Sequence, residues 1–375
     1  MSTLPSAVPA SRERVRAIDW LRGLSVLFMI QTHALVLLTP ELRKSVWTGR
    51  LLKVDGLVAP AFIFSAGFAL ALLMVRSAAA GALHERVPRN LRRIAEVFAV
   101  AALVNWVWFP IRSEPVWLLR LDILHCVGLC LLLTLPMAAL LASRPRVLAG
   151  TAFVLAMVAF ALAPFSDSAG EPWASFLRKS NWAPFPLVPW VGFAWLGAFA
   201  GCIAGAWGRK GLARALGFLI ALGLLGTLMP GVLTNLYPPH RFFVTNPSNS
   251  ATRFMWVCAV LLVMLWVEGR MAPDAKPSRA RRFLEVFGTA SLSAYFFHEM
   301  LLYYRVFGVF SFQKLWGDSS GWLKYAGLLA LLIACTFVLC VAWDPVERAV
   351  KKAFARATQW LLSAPRWLRP ARRRG

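Results

Sequence analysis

The chain has 375 residues, of which 59% are hydrophobic and only 15% are charged, and its mean hydropathy is positive at +0.61. This composition excludes an ordinary soluble domain, in which about a quarter of the residues are charged. The formal charge of +24 is spread over the segments between apolar runs, where anionic lipid headgroups attract it, so it does not imply a nucleic-acid partner.

Apolar runs long enough to cross a bilayer, which needs about 20 residues, follow one another along the chain. They predict an all-α fold, a polytopic membrane helix bundle with about ten transmembrane helices. The predicted spans are 17–38, 56–75, 94–110, 121–141, 146–164, 187–208, 212–232, 254–269, 286–310 and 323–343. An even number of spans places both termini on one side, and most of the 41 Lys and Arg residues fall on that side. The N and C termini are therefore expected to be cytoplasmic.

Neither a shift in composition nor a fixed-period repeat divides the chain, so we predict one transmembrane domain over residues 17–343. Residues 1–16 have no apolar stretch; we expect a cytoplasmic N-terminal tail there and no cleavable signal. Residues 344–375 interleave Lys and Arg with apolar residues at helical spacing, which predicts a basic amphipathic cytoplasmic tail. The six cysteines all fall within predicted spans, so a disulfide scaffold is not expected.

The first predicted span carries three ionisable side chains, although each costs about 2.5 to 3.5 kcal/mol in hydrocarbon. Arg22 and His33 are separated by three helical turns with ~20° left over, and Asp19 lies within ~60° of Arg22. All three therefore share one stripe, with Arg22 and His33 about 16 Å apart along the helix axis. One interpretation is functional. The other is that Asp19 and Arg22 form a pair at the inner membrane interface and that His33 lies at the outer interface.

Further ionisable groups collect toward the outer half of the predicted bundle, namely Asp55, Asp122, His125, His298 and Glu299. Asp122 and His125 are (i, i+3) neighbours, and Asp55 or Asp122 is suited to hold an imidazole in one tautomer, as a general base requires. Each of these residues taken alone is better explained by a structural role. Cys126 and Cys130 adjoin His125, but the sequence has no second ligand pair with zinc spacing, so no metal is expected.

Several segments resemble a known family. Arg22 followed by ten residues and His33, in IDWLRGLSVLFMIQTH, resembles the first-span signature of the integral-membrane acyltransferase superfamily that includes acyltransferase family 3. Four other segments resemble the heparan-alpha-glucosaminide N-acetyltransferase catalytic-domain family and its bacterial relatives: VDGLVAPAFIFSAGFALAL (54–72), LDILHCVGLCLLL (121–133), FPLVPWVGFAWLGAFAG (185–201) and VFGTASLSAYFFHEMLL (286–302). The resemblance spans roughly residues 14–305.

The resemblance implies transfer of an acetyl or other acyl group from cytoplasmic acyl-CoA to a glycan or other cell-envelope acceptor on the outer side of the membrane. His33 corresponds to the family's catalytic histidine, acting as base or nucleophile, and Arg22 to its arginine. The segment WTGRLLKVD (47–55) lacks the asparagine of the family's Trp-Asn-Gly segment, so the acceptor stays open.

On this hypothesis the predicted catalytic residues are His33 and Asp55. The predicted donor-binding residues are Arg22, Asp19, Arg92 and Arg93, of which the three arginines supply cations that suit phosphates. The predicted acceptor-binding residues are Trp47, Asp122, His125, Trp190 and His298, and Trp173 and Trp182 are further aromatic candidates. Acetyl-CoA is the expected donor, and membrane lipids and a carbohydrate acceptor are the expected partners. We expect a multi-pass protein of the bacterial cytoplasmic membrane, with the oligomeric state open and a homodimer included.

A secondary transporter or flippase of a small molecule or lipid-linked glycan is the alternative, because it also needs buried Asp, Arg and His. The sequence has no paired, Gly- or Pro-interrupted spans in corresponding halves, which usually indicate such a site. A non-catalytic membrane scaffold is a third hypothesis, but it gives no reason for His33.

Overall fold

The computed structural model describes residues 14–108, 113–170, 174–272, 277–304 and 310–362. The helices of ten or more residues in this part of the chain are α1 (Arg16–Ala34), α2 (Val46–Asp55), α3 (Val58–Ala79), α4 (Leu83–Trp108), α5 (Ile123–Leu141), α6 (Pro145–Leu162), α7 (Leu187–Leu228), α8 (Pro247–Arg270), α9 (Arg279–Thr289), α10 (Ser291–Leu302) and α11 (Trp322–Leu362). Shorter helices occupy the connections, at Leu35–Leu37, Pro40–Arg43, Pro115–Leu119, Ala163–Ser168, Ala174–Leu177, Pro230–Asn235, Phe242–Thr245 and Phe312–Trp316.

Seven helical segments among the described residues are long and apolar enough to cross a membrane. They are Arg16–Leu37, Val46–Ala79, Ile123–Leu141, Pro145–Ser168, Leu187–Leu228, Pro247–Arg270 and Trp322–Val350. The prediction of an all-α integral membrane protein is confirmed. The count of ten spans and the cytoplasmic side of the termini stay predictions.

Two of the predicted spans, 94–110 and 286–310, are not among these seven segments, and each has a physical reason. α4 begins with the polar stretch HERVPRNLRR, so only its second half is apolar. The other span is broken at Ala290, between α9 with 11 residues and α10 with 12. At 1.5 Å per residue, each of these two helices covers about 18 Å or less, well short of the ~30 Å hydrocarbon core.

α7 has 42 residues, which would extend about 63 Å, or twice the hydrocarbon thickness, if it were straight. It is interrupted at Gly208, whose φ of 64° and ψ of −159° are not helical. Glycine adopts such a conformation without steric cost. α7 therefore consists of two segments that correspond to the predicted spans 187–208 and 212–232.

α3 and the first half of α7 pack backbone against backbone. A Cβ atom added at Gly197 would collide with the carbonyl oxygen of Phe64, and one at Gly201 with that of Phe68. Both phenylalanine side chains are fully buried in the core around this contact. Small residues at such positions allow membrane helices to approach closely, and here they fix one wall of the bundle interior.

α1 and α9 also pack backbone against backbone at glycine residues. A Cβ at Gly23 would collide with the carbonyl oxygen of Leu284, and a Cβ at Gly288 would collide with that of Asp19. The close approach brings Arg22, which adjoins Gly23, within reach of the α9 backbone. The sequence therefore places its one arginine of the first span against a neighbouring helix rather than in lipid.

The first turn of α1 is held by a carboxylate from α8. Buried Glu268 accepts hydrogen bonds from the backbone N–H groups of Arg16 at 2.9 Å and Ala17 at 3.0 Å. These donors have no partner within their own helix, and a negative group at a helix N-terminus is stabilising. Arg209, beside the Gly208 interruption, lies 3.7 Å from the same carboxylate, so this interruption is at the same end of the bundle as the start of α1.

At the opposite end, the two long connections are joined to each other. Asp167 accepts hydrogen bonds from the backbone N–H and the guanidinium of Arg241 and, at 2.8 Å, from the hydroxyl of Thr245. Arg241 also donates to the carbonyl oxygen of Lys179 at 3.0 Å. These bonds join the second connection to the first at Asp167 and Lys179, at that end of the bundle.

The last described helix continues past the predicted domain boundary. α11 extends from Trp322 to Leu362 without an end at residue 344, and residues 363–375 lie outside the described residues. The three-part division of the chain stays a prediction. All six cysteines are free, which confirms that they form no disulfide scaffold.

Candidate active site

One cavity of about 1190 Å³ is lined by residues from both ends of the bundle. Near the start of α1 its wall includes Arg22 and Arg93, and near the other end it includes His33, Asp55 and Trp190. Ligand pockets are commonly 300 to 1,000 Å³, so this cavity has room for an extended ligand. It follows α1 over the distance of about 16 Å that separates Arg22 from His33.

His33 lies in the cavity wall near the C-terminal end of α1, where its ring meets two side chains of α10. Its Nδ1 atom is 2.8 Å from Oε1 of Glu299 and 2.9 Å from Nε2 of His298. His298 is fully buried and Glu299 is 5% exposed, whereas the side chain of His33 is 32% exposed. The ring is therefore held from behind, with its free edge toward the cavity.

The hydrogen-bond network assigns the tautomer of His33. Nδ1 of His298 lies 2.9 Å from the carbonyl oxygen of Ala294, which can only accept, so this Nδ1 carries the hydrogen and Nε2 of the neutral ring is an acceptor. With both imidazole rings neutral, Nδ1 of His33 faces an acceptor nitrogen and a carboxylate, and it donates to them. Its own Nε2 is left with a lone pair and no hydrogen-bond partner among the described residues.

The same three side chains form a set that could hold a divalent metal ion, since their ligand atoms lie within 4.8 Å of one another. In a tetrahedral zinc site with bonds of about 2.0 to 2.2 Å, neighbouring ligand atoms are roughly 3.3 Å apart. The 2.8 Å between Nδ1 of His33 and Glu299 is a hydrogen-bond length instead. The expectation that no metal is needed stays a prediction.

Two tyrosines bind the backbone carbonyl groups at the end of α1. Tyr303 donates its hydroxyl hydrogen to the carbonyl oxygen of His33 at 3.1 Å, and Tyr325 donates to that of Gln31, also at 3.1 Å. The last carbonyl groups of a helix have no partner within it, so these two bonds fix the position of the helix end that carries the imidazole.

The carboxylate that lies against His33 is that of Glu299, and not that of Asp55 or Asp122, which the sequence offered as candidates to hold an imidazole. Asp55, the last residue of α2, lines the same cavity. Gln31 and Thr32 lie near it, but no hydrogen bond of normal geometry reaches either of its carboxylate oxygens from the described residues. Asp55 is 8% exposed and both of its carboxylate oxygens are buried.

Asp122 has a structural role that the sequence did not reveal. Its side chain accepts from the backbone N–H of Ile123 at 2.7 Å and caps α5, and it lies 3.6 Å from Arg120. It also lines the cavity. His125, one turn further on, is buried beside Phe98, and its Nδ1 has no hydrogen-bond partner among the described residues; it is not in the cavity wall.

The predicted donor-binding residues are only partly brought together. Arg22 donates through Nε to the carbonyl oxygen of Gly288 at 2.9 Å and pairs with Asp19 at 3.2 Å. Both line the cavity, as does Arg93. Nη1 of Arg22 has no hydrogen-bond partner among the described residues. Arg92 is outside the cavity wall and pairs with Glu96 at 3.4 Å along the helix surface.

The predicted aromatic residues are also divided between cavity and surface. Trp190 lines the cavity, with the guanidinium of Arg253 5.8 Å from its ring centroid. Trp47 is 63% exposed and lies outside the cavity wall, beneath Arg50. Trp182 stacks on Trp117 at 4.5 Å. Trp173 lies outside the described residues.

Sequence reasoning assigned no role to Glu299, Tyr303 or Arg253, which line the cavity. The signal for Glu299 was available, because two adjacent ionisable residues, His298 and Glu299, interrupt an apolar run. Nothing in the sequence indicated that they would face His33. For Tyr303 and Arg253 we find no signal in the sequence.

Fold and site together define an integral membrane protein with an imidazole and carboxylate pair at an internal cavity. The family model for the heparan-alpha-glucosaminide N-acetyltransferase catalytic domain matches residues 14–226, more than half of the chain. The chain belongs to this family, which confirms the resemblance. No curated protein matches it. The matched region contains Arg22, His33 and Asp55, whereas the two residues of α10 that hold the imidazole lie beyond it.

Proposed function

We propose that this protein transfers an acetyl or other acyl group from acyl-CoA to a hydroxyl or amine of a cell-envelope acceptor, with Nε2 of His33 as the base. The observation that carries the proposal is the Nε2 edge of this ring, which is on the cavity side while Glu299 and His298 contact Nδ1 on the opposite edge. Membership of an acetyltransferase family supports the same reaction class.

The reaction follows from this geometry. Nε2 of His33 takes the proton of the acceptor hydroxyl or amine as the acceptor attacks the thioester carbonyl. The carbon–sulfur bond breaks, and the departing thiolate of coenzyme A takes the proton back from the imidazolium. Glu299, 2.8 Å from Nδ1, stabilises the positive charge that the ring carries in between. An acyl-histidine intermediate would use the same lone pair as a nucleophile.

The donor is proposed to enter at the end that carries Arg22. Nη1 of Arg22 and the side chain of Arg93 supply cations for phosphate or carbonyl oxygens in the cavity wall, and Asp19 holds the Arg22 guanidinium in place. An extended donor bound there would carry its thioester along α1 toward His33. The clustering of cations at this end supports a cytoplasmic side, and hence cytoplasmic termini and a location in the bacterial cytoplasmic membrane.

The acceptor is proposed to bind at the other end, between Asp55 and Trp190. A buried carboxylate without hydrogen-bond donors is costly, and a hydroxyl or amine of the acceptor would supply them. The face of Trp190 is suited to stack on a sugar ring, while Arg253 lies over the same indole. A carbohydrate with several hydroxyl groups is the acceptor that fits these features best.

A secondary transporter or flippase is the second candidate, because one cavity reaches residues at both ends of the bundle. Transport would move a ligand unchanged, and it would not require the oriented imidazole. The two candidates therefore differ in whether a covalent bond of the donor is broken.

The proposal is tested by incubating the purified protein with acetyl-labelled acetyl-CoA and crude envelope glycan. We expect label in the glycan and release of one free thiol for each acetyl group transferred, both absent for His33→Ala. Retention of all label on coenzyme A, with transport of the donor or a glycan into vesicles, would instead identify a transporter.

A further inference from the structure

A second cavity, of about 460 Å³, opens on the surface of the bundle between α6 and α7 and is separate from the candidate active site. Three cationic side chains line it, namely Arg146, Lys210 and Arg214. The remaining wall is apolar or aromatic and includes Ala149, Ile203 and Trp207. A groove of this kind combines positive charge with an apolar floor.

The groove lies at the end of the bundle where α1 begins. Lys210 follows the Gly208 interruption, and the neighbouring Arg209 contacts Glu268, which binds the first turn of α1. The start of α6 is at the same level, because the thiol of Cys202 donates to the carbonyl oxygen of Pro145 at 3.1 Å. This is the end that the distribution of Lys and Arg predicts to be cytoplasmic, where the membrane leaflet is rich in anionic lipid.

None of the three cations of the groove forms a hydrogen bond or ion pair with another described residue. Two other arginines at this end are paired, Arg22 with Asp19 and Arg281 with Glu285. Charge bias across the membrane explains why cations occur on this side. Charge bias does not explain why three cationic side chains line one cavity with an apolar wall and have no acidic partner among the described residues. A bound anion would stabilise this arrangement.

The surface next to the groove is apolar along both helices. Gly150 lies one turn beyond Arg146, and a Cβ added there would meet no atom within 4 Å. Val154, a further turn along, is 57% exposed, and Phe218, one turn beyond Arg214, is 50% exposed. An exposed apolar surface thus extends from the cations toward the membrane interior. An acyl chain would pack on this surface, whereas a free phosphate has no apolar group to place there.

We propose that this groove binds an anionic phospholipid of the surrounding leaflet. The headgroup phosphate lies among Arg146, Lys210 and Arg214, and an acyl chain follows the apolar surface of α6 and α7. Basic pockets between membrane helices on the cytoplasmic side are suited to such headgroups, and Trp207 is at the interfacial depth where indole rings are common.

The test is native mass spectrometry of the detergent-purified protein with dioleoyl-phosphatidylglycerol and with dioleoyl-phosphatidylcholine. We expect the wild-type protein to bind the anionic lipid at least tenfold more tightly. Each cation near an anionic headgroup contributes on the order of 1 kcal/mol, so R146Q/R214Q is expected to lose roughly 30-fold in affinity for phosphatidylglycerol. The matched control R279Q/R282Q removes the same charge from exposed arginines at the same end of the bundle and should bind as the wild type does.

Equal loss in both double variants would overturn the proposal, because general charge would then account for binding. So would equal affinity of the wild type for both lipids, or displacement of phosphatidylglycerol by inorganic phosphate or coenzyme A, which would identify a site for soluble phosphates. If R146Q/R214Q does not fold, K210Q alone should lose about fivefold, and no loss would count against the site. Lipid binding is measured without substrate, so its outcome is independent of acyl transfer.

Discussion

Glu299→Gln removes the negative charge behind the imidazole and leaves a side chain of the same size. The amide oxygen can still accept from Nδ1 of His33, so the ring keeps its orientation and only stabilisation of the imidazolium is lost. A hydrogen bond to a charged group contributes about 1.5 to 3 kcal/mol. Because each 1.36 kcal/mol is tenfold in rate, we expect kcat to fall roughly 10- to 150-fold, with little change in the KM for the donor.

The assay is acyl transfer by the purified variant with labelled acetyl-CoA at saturating acceptor. Glu285→Gln is the matched control, since Glu285 is a carboxylate that accepts from Trp20 at 3.2 Å and Arg281 at 2.8 Å but lies outside the cavity wall. It should lower thermal stability and leave kcat within about twofold. A Glu299→Gln variant with wild-type kcat, or an equal loss in the control, would refute the role of Glu299.

Three further predictions concern the donor, the packing of α1 and the orientation of the chain. Arg22→Ala should raise the donor KM because it removes the phosphate-directed cation, and an unchanged KM in a folded variant would leave only the structural pair with Asp19. Gly288→Ala places a methyl group against the Asp19 carbonyl oxygen and should destabilise the protein by about 1 to 3 kcal/mol in thermal unfolding. Gly327→Ala is the control, since a Cβ there meets no atom within 4 Å, and it should not destabilise the protein. Equal thermal-unfolding midpoints for the two variants would contradict the close approach of α1 and α9. An impermeant thiol reagent on intact cells should label cysteine substituted at Ser45 and spare it at Ser77, and the reverse pattern would invert the orientation.

The helix content and the stripe on the first span could be predicted from the sequence, because both depend on local periodicity. Asp19, Arg22 and His33 line one cavity, as their spacing indicated. The pairing of Asp19 with Arg22 also follows from (i, i+3) geometry. In both cases the information lies within a few turns of one helix.

The partner of the imidazole could not be predicted, because it depends on packing between distant segments. His33 and His298 are 265 positions apart, and the sequence does not specify which face of α10 meets α1. The two acidic candidates that precede His298 in the chain, Asp55 and Asp122, instead end α2 and cap α5. Local sequence supplied the types of ionisable group but not their contacts.

The number of spans was uncertain for a related reason. Hydropathy does not distinguish one long apolar helix from two shorter helices, and it does not register the break at Ala290 between α9 and α10. α7 is interrupted at Gly208, between the two predicted spans 187–208 and 212–232, so both spans correspond to segments of this helix. The hydropathy pattern predicted a single span over 286–310. The structure instead has the short helix α10 in this region, in contact with α1 at the candidate active site.

The central claim is that Nε2 of His33 exchanges the proton during acyl transfer, and His33→Gln tests it most directly. Glutamine is similar in size but cannot take up a proton near neutral pH, and a general base contributes about 10²- to 10⁴-fold in rate. We predict that transfer from labelled acetyl-CoA falls at least 100-fold, as in His33→Ala, while coenzyme A binding in titration calorimetry and thermal stability are retained. His84→Gln, the same change at an exposed histidine outside the cavity wall, should have no effect. Turnover by His33→Gln within a few-fold of wild type would contradict the account.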